Sequence, residues 1–411
     1  MRVTSLLRHL LAMKYTRVVG AEFGPAGLQV DVAPTTRLPR CSGCGRARRS
    51  VYDRRSRTWR HLDFGGMEVT LRYDLRRVDC GRCGKVAELV PWAEHDSRYT
   101  RDFEDHVAYL AQRSDQTTVS TTMRIAWRTV GSIIERVVAR CRREDLLDDL
   151  EYVGVDELSY RRHHEYLTVV VDHVKQRVVW ACEGKNAATL GRFFDALGPE
   201  RTAKIKCVTI DMSAAYIEAV RTRAPQAQVV FDRFHVQRLV QDALDEVRRA
   251  EVRALEGTEE RQGLKKTRWA LLKNHWNLSA IEHQRLSTVQ RTNRRLYRAY
   301  LLKTVLADIL GRRQVNVVRD KLNEWISWAR RSRLKPFKRA AATIRKYFEG
   351  VVAIVETGLN NGRTEGLNGK IRTITRRAYG FHSAQSLIGF IKLCCTGLVL
   401  HPVFKTPPLH P

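Results

Sequence analysis

Between Tyr152 and Val236 short apolar runs alternate with helical stretches in an order that few folds accommodate. Residues 153–157, 165–172 and 177–182 read as three consecutive strands, rich in Val and bounded by polar breaks. Residues 186–197 are then helical, 205–211 a strand, 213–223 a helix with Ser213 as its N-cap, and 228–232 a fifth strand. Strands in direct succession pair as hairpins, whereas strands separated by helices return parallel. Asp156 ends the first strand, Asp211 the fourth and Asp232 the fifth. An acid at the carboxyl end of a strand stands at the edge of a sheet, where sites tend to form.

The order βββαβαβα, with acids ending strands one and four, is the ribonuclease-H-like arrangement. From residue 236 to about 356 strand patterning vanishes, and Leu239, Leu244, Val247, Leu271, Leu272, Trp276, Leu301, Leu302, Leu306, Trp325 and Trp328 recur at helical spacing. An all-α insertion at about 240–356 is expected, with these stripes in its core and Arg330, Arg331, Arg333, Lys335, Lys338 and Arg339 exposed. Beyond it, Asn360, Glu365, Asn368, Lys370 and Arg372 crowd polar groups onto a helix that Asn and Gly should weaken, which points to a site. Three converging carboxylates repel unless cations neutralise them, and their hard oxygens suit Mg²⁺ or Mn²⁺. Asp156, Asp211 and Glu365 fit that requirement as catalytic residues and metal ligands. Two ions ~4 Å apart would activate an attacking hydroxyl and stabilise a leaving oxygen. Asp211 is preferred to Asp232 because strand four adjoins strand one. Glu157 and Asp172 are expected to support the site or to face solvent, and Lys370 and Arg372 to lie near a substrate phosphate.

The front of the chain carries different signals. A hairpin is read across residues 17–32 around Gly24-Pro25-Ala26-Gly27. Cys41-Ser42-Gly43-Cys44-Gly45 and Cys80-Gly81-Arg82-Cys83-Gly84 are two CxxCG knuckles, supplying the four thiolates of a closed structural Zn²⁺ site. Nine cysteines with four in such pairs describe a metal pattern in a reducing compartment, not a disulfide framework. Arg46, Arg48, Arg49, Arg54, Arg55, Arg57 and Arg60 crowd the intervening stretch with Trp59 and His61, and Arg54, Arg55 and Arg57 are taken as DNA contacts. Residues 118–125 and 129–138 read as a helix-turn-helix, the second helix presenting Arg128, Ser132, Glu135 and Arg136 outward. The acidic stretch 143–150 marks a boundary. A formal net charge of +29 calls for a polyanionic partner, with double-stranded DNA first. No run approaches the ~20 apolar residues of a membrane span, and no signal peptide is read.

Together these motifs resemble bacterial insertion-sequence transposases of the DDE class, specifically the IS-L-three family. The resemblance rests on both knuckles, the helix-turn-helix, Val155-Asp156-Glu157, Ile210-Asp211-Met212 with Ala215-Tyr216, Asp232-Arg233-Phe234-His235-Val236, and residues 360–370 with Gly380-Phe381-His382. It spans nearly the whole chain, in the family's order. It implies an α+β multidomain protein: a zinc-binding β-rich domain at 1–98, a DNA-binding helix-turn-helix region at 99–145 and a ribonuclease-H-like DDE domain at 151–400. It further implies binding to terminal inverted repeats, metal-dependent cleavage and joining of DNA, and catalytic acids Asp156, Asp211 and Glu365. Zinc ligands would be Cys41, Cys44, Cys80 and Cys83. Handling two ends implies a homo-oligomer, at least a dimer on DNA. The location is expected to be the bacterial cytoplasm, at the nucleoid. A non-catalytic DNA-binding regulator, or a nuclease of the same fold, is the alternative. His235 receives no chemical role.

Overall fold

The computed structural model describes residues 3–141, 144–161, 165–258, 260–273, 275–359, 362–378, 380–381 and 383–402. They fall into two compact units. One comprises the chain up to Cys141 with Lys392–Cys394 and the stretch from Leu398; the other comprises Glu144 to Ile391 with Cys395–Gly397.

In the first unit helix α1 (Val3–Leu11) precedes strands β1 (Thr16–Gly24), β2 (Gly27–Pro34), β3 (Val51–Phe64), β4 (Met67–Cys80) and β5 (Gly84–Ala87). The sheet order is β1-β2-β4-β3, with β5 on β4. The expected hairpin is β1–β2, turning between Gly24 and Gly27. β3 and β4 join through Gly65-Gly66, both at positive φ (57° and 84°), the backbone a two-residue hairpin loop demands. One core gathers Leu7, Leu11, Val30, Trp59, Val69, Leu71 and Trp92; a separate small cluster holds Cys41, Val78 and Cys80. Helices α2 (Arg101–Ala111), α3 (Gln116–Met123) and α4 (Trp127–Arg140) follow.

The second unit opens with β6 (Tyr152–Arg161), β7 (Glu165–Asp172) and β8 (Arg177–Glu183), then α5 (Ala187–Leu197), α6 (Pro199–Thr202), β9 (Cys207–Ile210), α7 (Ala214–Arg223) and β10 (Gln228–Phe231). The sheet order is β10-β9-β6-β7-β8. β6, β7 and β8 form an antiparallel meander, while β9 runs parallel to β6 and β10 parallel to β9. That is the ribonuclease-H-like topology, with strand four beside strand one. Ser213 does occupy the N-cap of α7, but its side chain makes no capping bond; the Asp211 carboxylate accepts from the Ser213 amide at 2.9 Å instead.

Helices α8 (Arg233–Ala254), α9 (Glu260–Lys265), α10 (Arg268–Leu272), α11 (Ala280–Thr292), α12 (Arg294–Leu310), α13 (Val315–Arg331), α14 (Lys335–Lys346) and α15 (Phe348–Thr357) come next. No strand interrupts them among the described residues. Their apolar stripes merge with the sheet core, so Leu244, Leu302, Leu306 and Trp325 are buried in the same cluster as Val153 and Ile210. Trp276 departs from expectation: it is 60% exposed. It sits in a three-residue helical turn, too short to sustain a buried stripe. Helices α16 (Gly362–Arg377) and α17 (Ala384–Cys395) end the described fold. No helix among the described residues is long and apolar enough to cross a membrane.

Candidate active site and metal centre

Parallel register brings three acids to one edge. Gly154 lies level with Thr209, and Thr209 with Val230. Two residues further along each strand stand Asp156, Asp211 and Asp232. The Asp232 amide donates to the Ile210 carbonyl at 3.0 Å, which continues the ladder to that level. With strands ~4.8 Å apart, Asp211 is one spacing from Asp156 and Asp232 two.

Alternation along β6 turns Asp156 and Glu157 to opposite faces. Glu157 meets Tyr216 of α7, whose hydroxyl also bonds Thr168 at 2.8 Å. Burial raises the Glu157 carboxyl above its ordinary range, and Asp211 adds to the shift. Asp156 shares its face with Gly154. A Cβ at that glycine would stand 2.9 Å from His173 Nε2, where the ring bonds Thr209 at 2.7 Å, so any side chain there would have to displace that pair. The Asp156 carboxylate accepts from the Glu157 amide at 2.7 Å and from Asn368 Nδ2 on α16. Burial pushes Asp156 above the usual 3.8, and Asp232 pushes the same way; the Glu157 amide, His235 and Asn368 pull it back. Strand order thus favours Asp211 beside Asp156, yet the charges acting on Asp156 include Asp232 and His235. The charge of Asp211 acts instead on Glu157 and Tyr216. Asp232 caps α8 through the Phe234 amide (2.9 Å), and its other oxygen lies 3.7 Å from His235 Nε2.

Asn368 is the residue whose role sequence reasoning missed. It is 3% exposed, and its Oδ1 is buried without a hydrogen-bond partner among the described residues. Glu365 occupies α16 one turn earlier; its side chain, with Asn360 and His382, lies outside the described residues. Arg372 is exposed one turn beyond Asn368, on the same side of α16. Lys370 is exposed too, but two residues on, about 160° round the helix from Asn368. The expectation for Asp172 fails. It is 2% exposed at the opposite end of the sheet, paired with Val153, where its carboxylate accepts from the Val174 and Lys175 amides.

In the first unit, ligand atoms of Cys41, Cys44, Cys80 and Cys83 lie within 4.8 Å of one another. Gly45 and Gly84 close the knuckles at φ of 69° and 74°, conformations other residues resist. Arg48 Nη2 donates to Cys80 Sγ at 3.0 Å, placing a cation against sulfurs that would carry negative charge. The Arg82 amide draws the Cys80 thiol down to about 6, while burial and the neighbouring sulfurs push Cys83 up to about 12. Four thiolates this close need a divalent cation.

The helix-turn-helix is α3 and α4, with the turn at residues 124–126 instead of 126–128, so Arg128 lies inside α4. Arg128, Ser132 and Glu135 are exposed, but Arg136 is not presented outward. Its Nε donates at 2.7 Å to Glu104 on α2, a fully buried carboxylate that also receives Ser97 Oγ and Arg140 Nη1. A buried charge must be paired, and that need turns Arg136 inward. Arg54 and Arg55 are exposed on β3, whereas Arg57 donates to the carbonyls of His95 and Ser97. Trp59 and His61 are buried, not available to stack on bases.

Comparison with known proteins agrees with this anatomy. A family model described as a transposase, of the ISL3 type, matches residues 153–391. The model of the helix-turn-helix domain of transposase family ISL3 matches residues 88–138, and the zinc-finger of transposase IS204/IS1001/IS1096/IS1165 matches residues 37–83. The chain belongs to the ISL3 family of insertion-sequence transposases. It is 41% identical over 430 aligned positions to the transposase for insertion sequence element IS1557 of Mycobacterium tuberculosis (strains CDC 1551 / Oshkosh and ATCC 25618 / H37Rv), covering 97% of this chain and 96% of that one. It is 30% identical to the transposase for insertion sequence element IS1001 of Bordetella parapertussis, covering 87% and 89%. The zinc-finger match and the four-cysteine cluster together support a structural zinc.

Proposed function

We propose that this protein binds the terminal inverted repeats of its own insertion sequence, cuts the DNA there and joins the released ends to target DNA. The observation that carries the reading is the alignment of Asp156 and Asp211 on adjoining parallel strands, with α16 bringing Asn368, and the backbone of Glu365 one turn before it, to the same edge. Asp156, Asp211 and Glu365 are the acids assigned to catalysis, and Asp232 with His235 completes the charge around them. The zinc-binding region at 1–98 and the helix-turn-helix at 99–145 would hold DNA, through Arg54, Arg55, Arg128 and Ser132, ahead of the DDE domain at 151–400 with its insertion.

The acids fit hard divalent cations, Mg²⁺ or Mn²⁺, and the Asn368 oxygen, without a partner among the described residues, would supply a further hard donor. Two such ions would activate the attacking oxygen and stabilise the leaving one. The chain's own groups do the rest. The Glu157 amide and Asn368 hold Asp156 in one rotamer, and Arg372 offers a positive charge to the phosphate. In the first reaction water attacks the phosphorus at the element's end, the P–O3′ bond breaks and a 3′-hydroxyl is released. That hydroxyl then attacks a target phosphodiester, forming one P–O bond as another breaks, so no external energy source is required. Two ends handled together call for at least a dimer on DNA.

The test is to incubate the full chain with Mg²⁺ and duplexes bearing the inverted repeats that flank its coding region. Cleaved 3′-hydroxyl ends and joined products are expected. Cleavage without joining would make it a nuclease, and binding without cleavage a regulator. Asn368→Ala should weaken Mn²⁺ binding by about 10–100-fold, as removal of a group that orients a ligand does. Titration followed by Mn²⁺ paramagnetic resonance reads this directly, and an unchanged affinity would remove Asn368 from the site.

A further inference from the structure

A cleft of about 820 Å³ opens on the helical insertion, lined by Arg330 from α13 and by Lys338, Ala342, Arg345 and Lys346 from α14. The α14 residues recur at i, i+4, i+7 and i+8, the spacing of one helical face, and the opposite face buries Phe337, Ala340, Ala341 and Ile344. The four cations are exposed. Nearby, Arg339 is paired with Glu246 and Arg319 with Glu349, whereas the exposed Arg331, Arg333 and Lys335 have no carboxylate partner among the described residues and extend the basic surface. Among the described residues no carboxylate pairs with the four that line the cleft.

Helix electrostatics explain only part of this pattern. Arg330, Arg345 and Lys346 lie in last turns, where the helix dipole favours a cation. Lys338 lies in the first turn of α14, where the dipole disfavours one and no acid offsets it. With Arg339 paired to Glu246, the other four bases of this acid-free, twelve-residue helix repel one another unless something anionic lies along them. Like charges in a concavity also focus the field outward.

We propose that this cleft binds the phosphodiester backbone of duplex DNA, independently of base sequence. The four side chains are point or planar donors to phosphate, and the small Ala342 leaves the floor open for the strand. The inference rests on the DNA reading above, and its test keeps the two apart. Arg330→Gln, Lys338→Gln, Arg345→Gln and Lys346→Gln are combined in one full-length variant. A control variant removes four exposed cations elsewhere in the same unit: Lys175→Gln, Lys204→Gln, Arg221→Gln and Arg253→Gln. Binding to a duplex of arbitrary sequence is measured across salt concentrations, with thermal melts to show that each variant is folded. In the cleft variant the log–log salt slope should shrink by about 3 to 4, near 0.9 per phosphate contact, and in the control by less than about 1. Should the fourfold variant fail to fold, Lys338→Glu alone should shrink the slope by about 1. An unchanged slope, or equal changes in cleft and control variants, overturns the cleft. Failure of the unaltered protein to bind DNA overturns the broader reading instead.

Discussion

Asp156→Asn should reduce DNA strand cleavage by at least about a thousandfold while its thermal melt stays level or rises. On the proposed assignment, the loss follows from removing a charged oxygen that would hold ions stabilising the transition state by several kcal/mol, each 1.36 kcal/mol being about tenfold in rate. The retained stability follows from the surroundings. Burial already works against the ionised carboxylate, since it raises the Asp156 pKa above 3.8. A neutral amide removes that penalty. The hydrogen bonds survive as well. The new carboxamide oxygen can accept from the Glu157 amide, and its NH₂ can donate to Asn368 once that side chain flips its partnerless Oδ1 inward. DNA binding should persist, because the four-cysteine centre and helix-turn-helix are untouched. Gel-resolved cleavage of an end-sequence duplex, beside a melt of the same preparation, checks both halves. Cleavage within tenfold of the unaltered protein would remove Asp156 from catalysis.

The features that could be read from sequence are those set by local periodicity. Strands at 165–172 and 177–182, and the acids that end the parallel strands, announce themselves as short Val-rich runs with a polar stop. The order of those elements allows few topologies, so the neighbourhood of β6 and β9 was also legible. What escaped depends on partners distant in the chain. Asn368 meets Asp156 only because α16 returns over the sheet 212 residues later. Spacing within α16 marks a polar face but does not say which residue touches the acid. Arg136 reads as solvent-facing from its own helix alone, and the buried Glu104 of another helix turns it inward. His235 comes near Asp156 because Asp232, the cap of its helix, lies on the same edge. Trp276 misled in the other direction, since an isolated large apolar residue outside a sustained helical period carries no information about its face.

Removing zinc should unfold one lobe of the first unit and leave the other folded. The four-cysteine cluster has little apolar support: Cys41, Val78 and Cys80 are buried, with Val86 alongside. The main core of that unit lies elsewhere, around Trp59, Val69, Leu71 and Trp92. Ordering each backbone residue costs about 1–2 kcal/mol, which so small a cluster cannot offset for two knuckles and β5. Zinc binding in small finger domains contributes about 10–16 kcal/mol near neutral pH, ample for the task. Strand β4 joins the two regions, with Leu71 in one core and Val78 in the other. Cys41→Ser, or a strong chelator, should therefore fray β4 from its Cys80 end toward Leu75. Hydrogen exchange of amides in residues 41–47 and 78–87 should accelerate by about a thousandfold or more, as a loss above ~4 kcal/mol requires. Amides pairing β2 with β4 near Val30 and Leu71 should keep their protection. Unchanged exchange at Cys41, Gly45 and Cys83 after metal removal would show that the sulfurs hold no structural ion. Collapse of protection throughout β1 to β4 would show instead that the core around Trp59 cannot stand without the metal.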